Sequence, residues 1–472
     1  MASSSSSTST RPQVQPQTLH IQAQDSSFTN TTTVTGQAVK WIFQILFYLQ
    51  LFLISALVIF ITRYYRTSDS STTHHFHPHK WYPPLLASTL CAGILGFTWH
   101  CIIACYPKRA FIAAFWLSPL LTLAMGILFM LIQSAWSWIP GLFSLLSAAI
   151  QSLYGLWVNN NNRFKYATEM FQDAIYFPLP KAKCLTFLSI IVATLYCCFL
   201  VYGIGGARAM ENKTKLTDIC IIVIIVSLVW TMQVMKNAMQ VTISRVKYIF
   251  FTNNREMKIG NAFCDTIKHL IGSVSLGSIL VPFIVLFRGF ARSQHLLGGK
   301  NGECMFSCDP CAMGLAALLV SYGNRWGFVH VGVYNKGFVQ ASCDTWEMFM
   351  SRVGLQELID LDLTGAFCFL SGVAVGAICC LVSGIWSLIV YKDYAMELSI
   401  YAFIIGYFIC RLAIAWPQAS VLAYYVAYAH NPEDMQFEET IKARLEQLRV
   451  SHLQRQNTAD TEEIRRAYLQ SP

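Results

Sequence analysis

The chain has 472 residues, of which 54% are hydrophobic and only 12% are charged, and its net charge is +9. A soluble domain carries roughly a quarter charged residues, so this composition excludes a soluble enzyme and a secreted disulfide-stabilised domain. The basic residues are scattered over short loops, which is typical of signals that set membrane orientation and excludes a nucleic-acid-binding surface. The composition therefore indicates a protein that crosses a membrane many times.

Residues 1–37 are rich in Ser, Thr, Gln and Pro and contain no apolar run. Such a segment has too little apolar surface to form a core, and it is predicted to be a disordered cytoplasmic tail. A transit peptide would contain more Arg, and a cleavable signal peptide would need an apolar run near Met1. The first membrane segment is therefore expected to be the targeting signal.

A membrane-spanning helix needs about 20 mostly apolar residues. Nine clear candidates are 41–61, 84–106, 110–131, 139–158, 184–204, 217–236, 267–287, 365–390 and 398–428. A tenth and weaker candidate runs from Cys311 to about Tyr334 and carries Arg325 and His330. Lipid offers no partner for unpaired backbone groups, so the sequence predicts an all-α polytopic bundle of about ten helices over residues 38–429.

The positions of Lys and Arg in the loops favour a cytoplasmic N-terminus. The loops 159–183 and 237–263, both rich in basic residues, then lie inside. Ten spans put the C-terminus inside as well, whereas nine would put it outside. The tail 430–472 is charged and helix-prone; we expect a helical cytoplasmic tail, which favours ten spans.

Enzyme signatures are missing from the sequence. The chain contains no Walker A loop, no HExxH, no GxSxG and no dinucleotide fingerprint. We therefore expect neither an enzyme nor an ATP-driven pump of the P-loop type, and no cofactor. No soluble domain interrupts the helices, so the function is expected to lie in the membrane bundle.

Two clusters resemble metal or disulfide sites. His74, His75, His77 and His79 could bind zinc or copper, but Pro78 and the Ser/Thr run indicate a flexible loop, and no metal site is predicted. Cys304, Cys308 and Cys311 lack the second CxxC of a zinc site. Unpaired thiols, or one disulfide with a third thiol left over, both remain open.

Several residues inside the spans have two readings. Glycines at helix-packing spacing, such as Gly372 and Gly376, indicate close packing, whereas Pro119, Pro282 and Pro417 could break helices as in transporters. Ionisable groups in spans are costly; they are Asp218, Asp265, Glu397 and Arg411, with His100 at a span end. Arg411 is the deepest, and either a structural ion pair with Glu397 or Asp393, or a transport role, fits it.

Aromatic side chains also lie in mid-span. They are Trp116, Trp230, Trp386, Tyr401 and Tyr407. Aromatic ring faces hold quaternary ammonium groups in proteins, so these residues are compatible with a cation site. Lipid-facing or packing roles are the commoner explanation of such residues.

Three sequence blocks, in order, resemble the choline transporter-like family (solute carrier family 44). The first, WTMQVMKNAMQVT, begins at Trp230 and follows a W-x-x-x-V-x-x-N-x-x-x-V-T pattern. The second, GSVSLGSILVPFIVLFR, runs from Gly272 to Arg288, and the third begins at Asn324 and continues to Phe349. All three lie within residues 215–430. Gly327-Phe328 replaces the family's Ala-Tyr and the end of the last span departs from its pattern, so the chain resembles a divergent member.

The resemblance implies about ten helices, cytoplasmic termini and ATP-independent passage of choline or a related organic cation. It implies a multi-pass protein of the plasma membrane or an endomembrane, with membrane lipids as its other partners. The substrate-binding candidates that follow from the matched blocks are Trp230, Asn237, Ser273, Ser278 and Tyr334. Trp230 would offer a ring face to the ammonium, and Asn237 would cap or hydrogen-bond a broken helix.

The two Gly-Ser pairs at 272–273 and 277–278 are five residues apart, so they cannot share one helix face. We expect close packing on two sides or an unwound stretch. The rival to transport is a non-transporting membrane scaffold in vesicle trafficking or lipid homeostasis, favoured by the two polar tails. A polar path through the bundle would distinguish a transporter from a scaffold.

Overall fold

A computed structural model describes residues 34–68, 78–134, 136–161, 163–176, 182–209, 215–297, 309–352, 355–433, 437, 441–447 and 450. Every long regular element within these ranges is helical, as the composition predicts. The helices are α1 (Val34–Ser68), α2 (Pro78–Cys105), α3 (Pro107–Ile132), α4 (Trp138–Asn160), α5 (Arg163–Tyr176), α6 (Ala182–Arg208), α7 (Lys215–Asn253), α8 (Ile259–Asp265), α9 (Ile271–Leu297), α10 (Asp309–Tyr322), α11 (Gly327–Tyr334), α12 (Phe338–Met350), α13 (Leu355–Asp360), α14 (Thr364–Val390), α15 (Ala395–Ala413) and α16 (Ala415–His430).

Nine helices of the described chain are long and apolar enough to cross a membrane. They are α1, α2, α3, α4, α6, α7, α14, α15 and the continuous unit of α8 and α9, which a π-helical turn at Thr266–Leu270 joins. All nine coincide with spans expected from hydropathy, and the all-α polytopic fold is confirmed. The prediction for 398–428 is wrong in one respect, because this stretch forms two helices, α15 and α16.

The break between α15 and α16 lies at Ile414, where the backbone leaves the helical region. Pro417 lacks an N–H group and cannot bond the carbonyl of Ala413 four residues earlier. The Nδ1 atom of His100 on α2 lies 3.4 Å from that carbonyl oxygen. Pro417 thus breaks a helix as the sequence suggested, whereas Pro119 and Pro282 lie inside continuous helices.

Helices α10 and α11, with a turn between them, run back along α9. Gly323 lies against Ile284 of α9, and Phe328 lies against Gly277, so the chain runs antiparallel to α9. It ends beside α1, where Lys40 Nζ donates a hydrogen bond of 2.9 Å to Asn335 Oδ1. The chain therefore returns to the side from which α1 and α9 start, where the sequence placed a tenth span.

The helices form two groups. The α14 group consists of α2, α3, α4, α14 and α15, and the α7 group consists of α1, α7, α8, α9, α10, α11 and α12. Helix α6 packs against members of both, and α7 packs against α15 and α16. The two groups therefore make contact along the face of α7 that packs against α15 and α16, and we call this contact the seam.

Glycines allow the closest helix approaches. A Cβ atom on Gly406 of α15 would lie 3.1 Å from the Cα of Gly376 on α14. On α9, a Cβ on Gly272 would meet the backbone oxygen of Lys40 on α1, whereas one on Gly277 would meet the rings of Phe328 and Phe338. The expectation that the two Gly-Ser pairs pack on different sides is confirmed.

Helix α7 has 39 residues and is about 60 Å long at 1.5 Å per residue. A bilayer core is about 30 Å thick, so half of α7 extends beyond it. This is the half that ends at Asn253, and we call it the extended half of α7. This half packs against α16, and α16 packs against the amphipathic α5. Burial raises the pKa of Tyr166 on α5, whose hydroxyl lies 3.4 Å from that of Tyr425 on α16.

The predicted tails overlap the folded bundle slightly. Helix α1 already begins at Val34, inside the predicted tail 1–37, and residues 1–33 lie outside the described part. Beyond α16, Phe437 is buried against Tyr424 and Tyr428, and Ile441 is buried too. The described beginning of the 430–472 segment is thus packed on the bundle.

Candidate functional site

Polar side chains lie at the middle of three adjacent apolar helices. Gln50 is central in the span 36–63 of α1, and Tyr196 is central in the span 182–208 of α6. Ser227 is central in the apolar stretch 217–236 of α7. Because polar groups in lipid need partners inside the protein, these three residues are expected to face each other.

The structure brings these side chains together. Gln50 Nε2 donates a hydrogen bond to Ser227 Oγ. The Tyr196 hydroxyl donates to Thr231 Oγ1 at 3.2 Å and lies 3.4 Å from Ser227 Oγ. One hydrogen-bonded group therefore links α1, α6 and α7 near the middle of their apolar stretches.

Aromatic rings adjoin this group. The ring of Trp230 meets the ring of Phe47 edge-on, with centroids 5.9 Å apart and planes at 78°. The indole Nε1 of Trp230 and the Oε1 of Gln50 are buried and have no hydrogen-bond partner among the described residues. We call Phe47, Gln50, Tyr196, Ser227, Trp230 and Thr231 the midplane cluster.

The midplane cluster has the chemistry of a site for an organic cation. Aromatic rings attract an ammonium through their negative faces, and the free Gln50 oxygen can accept a hydrogen bond from a hydroxyl. Trp116 and Trp386 are each 43% exposed on the outside of the bundle. The lipid-facing explanation therefore holds for those two tryptophans, whereas Trp230 faces inward.

The other candidates from the matched blocks lie nearer the end of α7. Asn237 Nδ2 donates a hydrogen bond of 2.8 Å to Ser278 Oγ on α9, and its Oδ1 accepts one of 3.0 Å from Lys236. Asn237 was expected to cap or hydrogen-bond a broken helix; α7 is continuous through this point, so Asn237 caps no break in α7 and instead forms a hydrogen bond to α9. Asn237 and Ser278 are brought together, about two turns of α7 beyond Trp230.

Ser273 and Tyr334 lie apart from the midplane cluster. Ser273 is buried beside the contact between α9 and α1, and its hydroxyl has no partner among the described residues. The Tyr334 hydroxyl lies 3.0 Å from that of Tyr248, near the extended half of α7. The structure therefore places the five candidates along one side of α7 and not around one cavity.

The ion pairs of the bundle differ from the pairing that the sequence suggested for Arg411. Glu397 pairs with Arg208 at 2.9 Å and not with Arg411. Asp362 pairs with Arg325 at 2.6 Å, and the Asp362 side chain is only 4% exposed. The proposed pairing of Arg411 with Glu397 is therefore wrong, and no described acid forms an ion pair with Arg411.

Sequence reasoning missed Gln50, Tyr196, Ser227 and Lys236. The first three are polar residues near the middle of apolar spans, and their common depth could have indicated a shared site. Lys236 was placed at a span end, although it stands beside Asn237 in the first matched block and α7 continues far beyond it. The position of Lys236 beside Asn237 was the sequence signal that could have identified it.

The metal and disulfide candidates lie mostly outside the described residues. This applies to His74, His75, His77, Cys304 and Cys308, and also to the side chain of Cys311. Among the residues that the structure does describe, no three His, Cys, Asp or Glu side chains are grouped as metal ligands would be.

Comparison with known proteins gives consistent matches. The sequence profile of the family described as plasma-membrane choline transporter matches residues 120–433. Protein PNS1 of Neurospora crassa is 24% identical over 400 residues, which cover 78% of this chain and 70% of that protein. Protein pns1 of Aspergillus fumigatus is 26% identical over 222 residues, which cover 44% of this chain but only 41% of that protein. A CTL-like protein of Dictyostelium discoideum is 22% identical over 249 residues, which are 50% of this chain and 43% of that protein.

Proposed function

The chain belongs to the choline transporter-like family, and from this premise we propose that it carries choline or a related organic cation across a membrane without ATP. The observation that carries the proposal is the midplane cluster. It combines inward-facing aromatic rings with an amide oxygen that has no partner among the described residues, at the depth where a transported ion is farthest from water.

Each group of the cluster has a part in the proposal. The Trp230 ring, held edge-on by Phe47, presents a face to the trimethylammonium group. Gln50 Oε1 accepts the hydrogen bond of the substrate hydroxyl, and Tyr196 fixes Ser227 and Thr231. No acidic side chain belongs to the cluster, so cation binding rests on rings and dipoles.

The other residues of the matched blocks have supporting parts. The Asn237–Ser278 hydrogen bond holds α7 against α9 about two turns of α7 beyond the midplane cluster. Ser273 and Tyr334 lie farther toward the extended half of α7, where a substrate would leave or enter. We propose that the passage follows the side of α7 that faces α1 and α9, because Trp230 and Asn237 lie along it.

Uptake of radiolabelled choline into proteoliposomes of the purified chain tests this function. We expect saturable uptake that excess unlabelled choline blocks and that empty liposomes lack. A folded protein with no uptake of choline or of related amines would contradict the proposal and favour a membrane scaffold. The plasma membrane is the proposed location, and fluorescence microscopy of the tagged chain would check it.

A further inference from the structure

Arg411 is a partly buried cation that has no acidic partner among the described residues. Its Nη1 atom is buried and has no hydrogen-bond partner among the described residues. A guanidinium does not lose its proton in proteins, and an uncompensated charge in a membrane bundle is costly. The arrangement around Arg411 therefore calls for a compensating anion.

Arg411 and a second arginine, Arg325, both lie against one face of α14. A Cβ on Gly372 would lie 3.1 Å from Cδ of Arg411, and a Cβ on Gly365 would lie against Nη1 of Arg325. Gly365 and Gly372 are seven residues apart and so share a face, about 10 Å apart along the axis. Cys368 lies between them, within electrostatic range of both arginines.

Helix α7 adds a third cation from across the seam. The Lys236 side chain is 5% exposed, and both Arg411 and Arg325 lie within electrostatic range of its ammonium. Gln240, one turn along α7, donates from Nε2 to the Arg325 backbone oxygen at 3.5 Å, and its Oε1 is buried without a partner. Lys236, Arg325 and Arg411 therefore lie near one another at the contact of the two helix groups.

The charges in this place do not balance. Asp362 compensates Arg325 through a 2.6 Å contact. It also accepts hydrogen bonds from the backbone N–H and the hydroxyl of Thr364, so its oxygens are already used. Among the described residues, Lys236 donates its hydrogen bond to the neutral oxygen of Asn237. Neither Lys236 nor Arg411 has an acidic partner among the described residues.

We propose that Lys236, Arg325 and Arg411 form a binding site for an oxyanion of the phosphate class, separate from the cation site in the midplane cluster. Guanidinium forks match the geometry of phosphate oxygens, and a lysine adds a point charge. The phosphate can come from a lipid headgroup or from a free phosphate or phosphate ester, since both offer the same oxygens.

Thermal unfolding of the purified full-length protein in detergent tests the site without a transport assay. Inorganic phosphate is compared with chloride at equal ionic strength, and dioctanoyl phosphatidic acid with dioctanoyl glycerol. We expect phosphate, the short-chain lipid, or both, to raise the midpoint by about 3 °C or more. Whichever ligand acts at the lower concentration identifies the source.

Matched variants assign the effect to the site. The Arg411→Gln variant should lose the shift, and Arg411→Lys should retain part of it because the charge remains. Arg255→Gln changes an exposed loop cation and should keep the full shift. The proposal is overturned if neither phosphate nor the lipid stabilises the wild type above its control, or if Arg411→Gln responds as Arg255→Gln does. Because choline is absent from this assay, failure here leaves the transport proposal standing, and failure of uptake leaves this site standing.

Discussion

The amide of Asn237 donates a 2.8 Å hydrogen bond to the hydroxyl of Ser278 while its oxygen accepts one from Lys236. One buried side chain thus ties α7 to α9 and gives a buried ammonium its neutral partner. The block that identified the family therefore marks a structural joint between helices, next to the midplane cluster.

Asn237→Leu should destabilise the protein because it leaves the Lys236 ammonium without its acceptor. The expected loss is about 1–3 kcal/mol, measured as a lower midpoint of thermal unfolding in detergent. Asn261→Leu is the matched control, since Asn261 is exposed and its replacement should change little. Equal midpoints for the two variants would contradict the assigned role.

Asp362→Asn should be more damaging, because it removes a buried carboxylate and leaves the partly buried Arg325 without an acidic partner. Breaking one partner of a buried ion pair costs about 3–5 kcal/mol. Lys336 and Asp344 form a contact of the same 2.6 Å length, but their side chains are 24% and 33% exposed. Asp344→Asn should therefore cost less than about 1 kcal/mol, and thermal unfolding of both variants compares them. If the two variants lose a similar free energy of unfolding, burial does not determine the cost of breaking these ion pairs.

Gly272→Ala should disturb the contact between α1 and α9. A Cβ there would clash with the backbone oxygen of Lys40, which cannot move away as a side chain does. Overpacking of this kind costs about 1–3 kcal/mol or more. Gly260→Ala on α8 meets nothing within 4 Å and should be neutral or slightly stabilising. The yield of monodisperse protein and its unfolding midpoint measure the difference; an intact Gly272→Ala protein would refute the close approach.

Gln50→Glu should strengthen the interaction with an organic cation, because a carboxylate adds a charge beside Trp230. Gln50→Leu should weaken it by removing the free oxygen. The measurement is the KM for choline uptake in proteoliposomes, with a several-fold decrease expected for Glu and a several-fold increase for Leu. A KM that is the same in both variants would exclude Gln50 from the site.

Hydropathy was sufficient to predict the nine long spans, because the cost of polar backbone in lipid leaves few alternatives. It could not predict the break at Ile414, since that depends on Pro417 and on His100 from another helix. The stretch 311–334 is less apolar than the other spans because it contains Arg325. This residue lies between the two shorter helices α10 and α11 and pairs with Asp362. Composition marked this segment as a weak span, but the ion-pair partner of Arg325 is known only from the fold.

The candidate site was predicted in part. Trp230 and Asn237 were found through the matched blocks, yet the hydrogen bonds of Gln50, Tyr196 and Ser227 join residues far apart in sequence. A single polar residue in an apolar helix does not reveal its partner. The pairing of Glu397 with Arg208 instead of Arg411 has the same cause, because helix neighbours are set by the whole bundle.

Choline uptake by the Trp230→Ala variant tests the central claim most directly, with Trp386→Ala as the matched control. Both remove a mid-span tryptophan, but Trp386 is 43% exposed on the outside of α14. If the midplane cluster binds the substrate, Trp230→Ala abolishes saturable uptake at normal protein incorporation, and Trp386→Ala retains it. Unchanged uptake in Trp230→Ala, or an equal loss in both variants, would contradict the account.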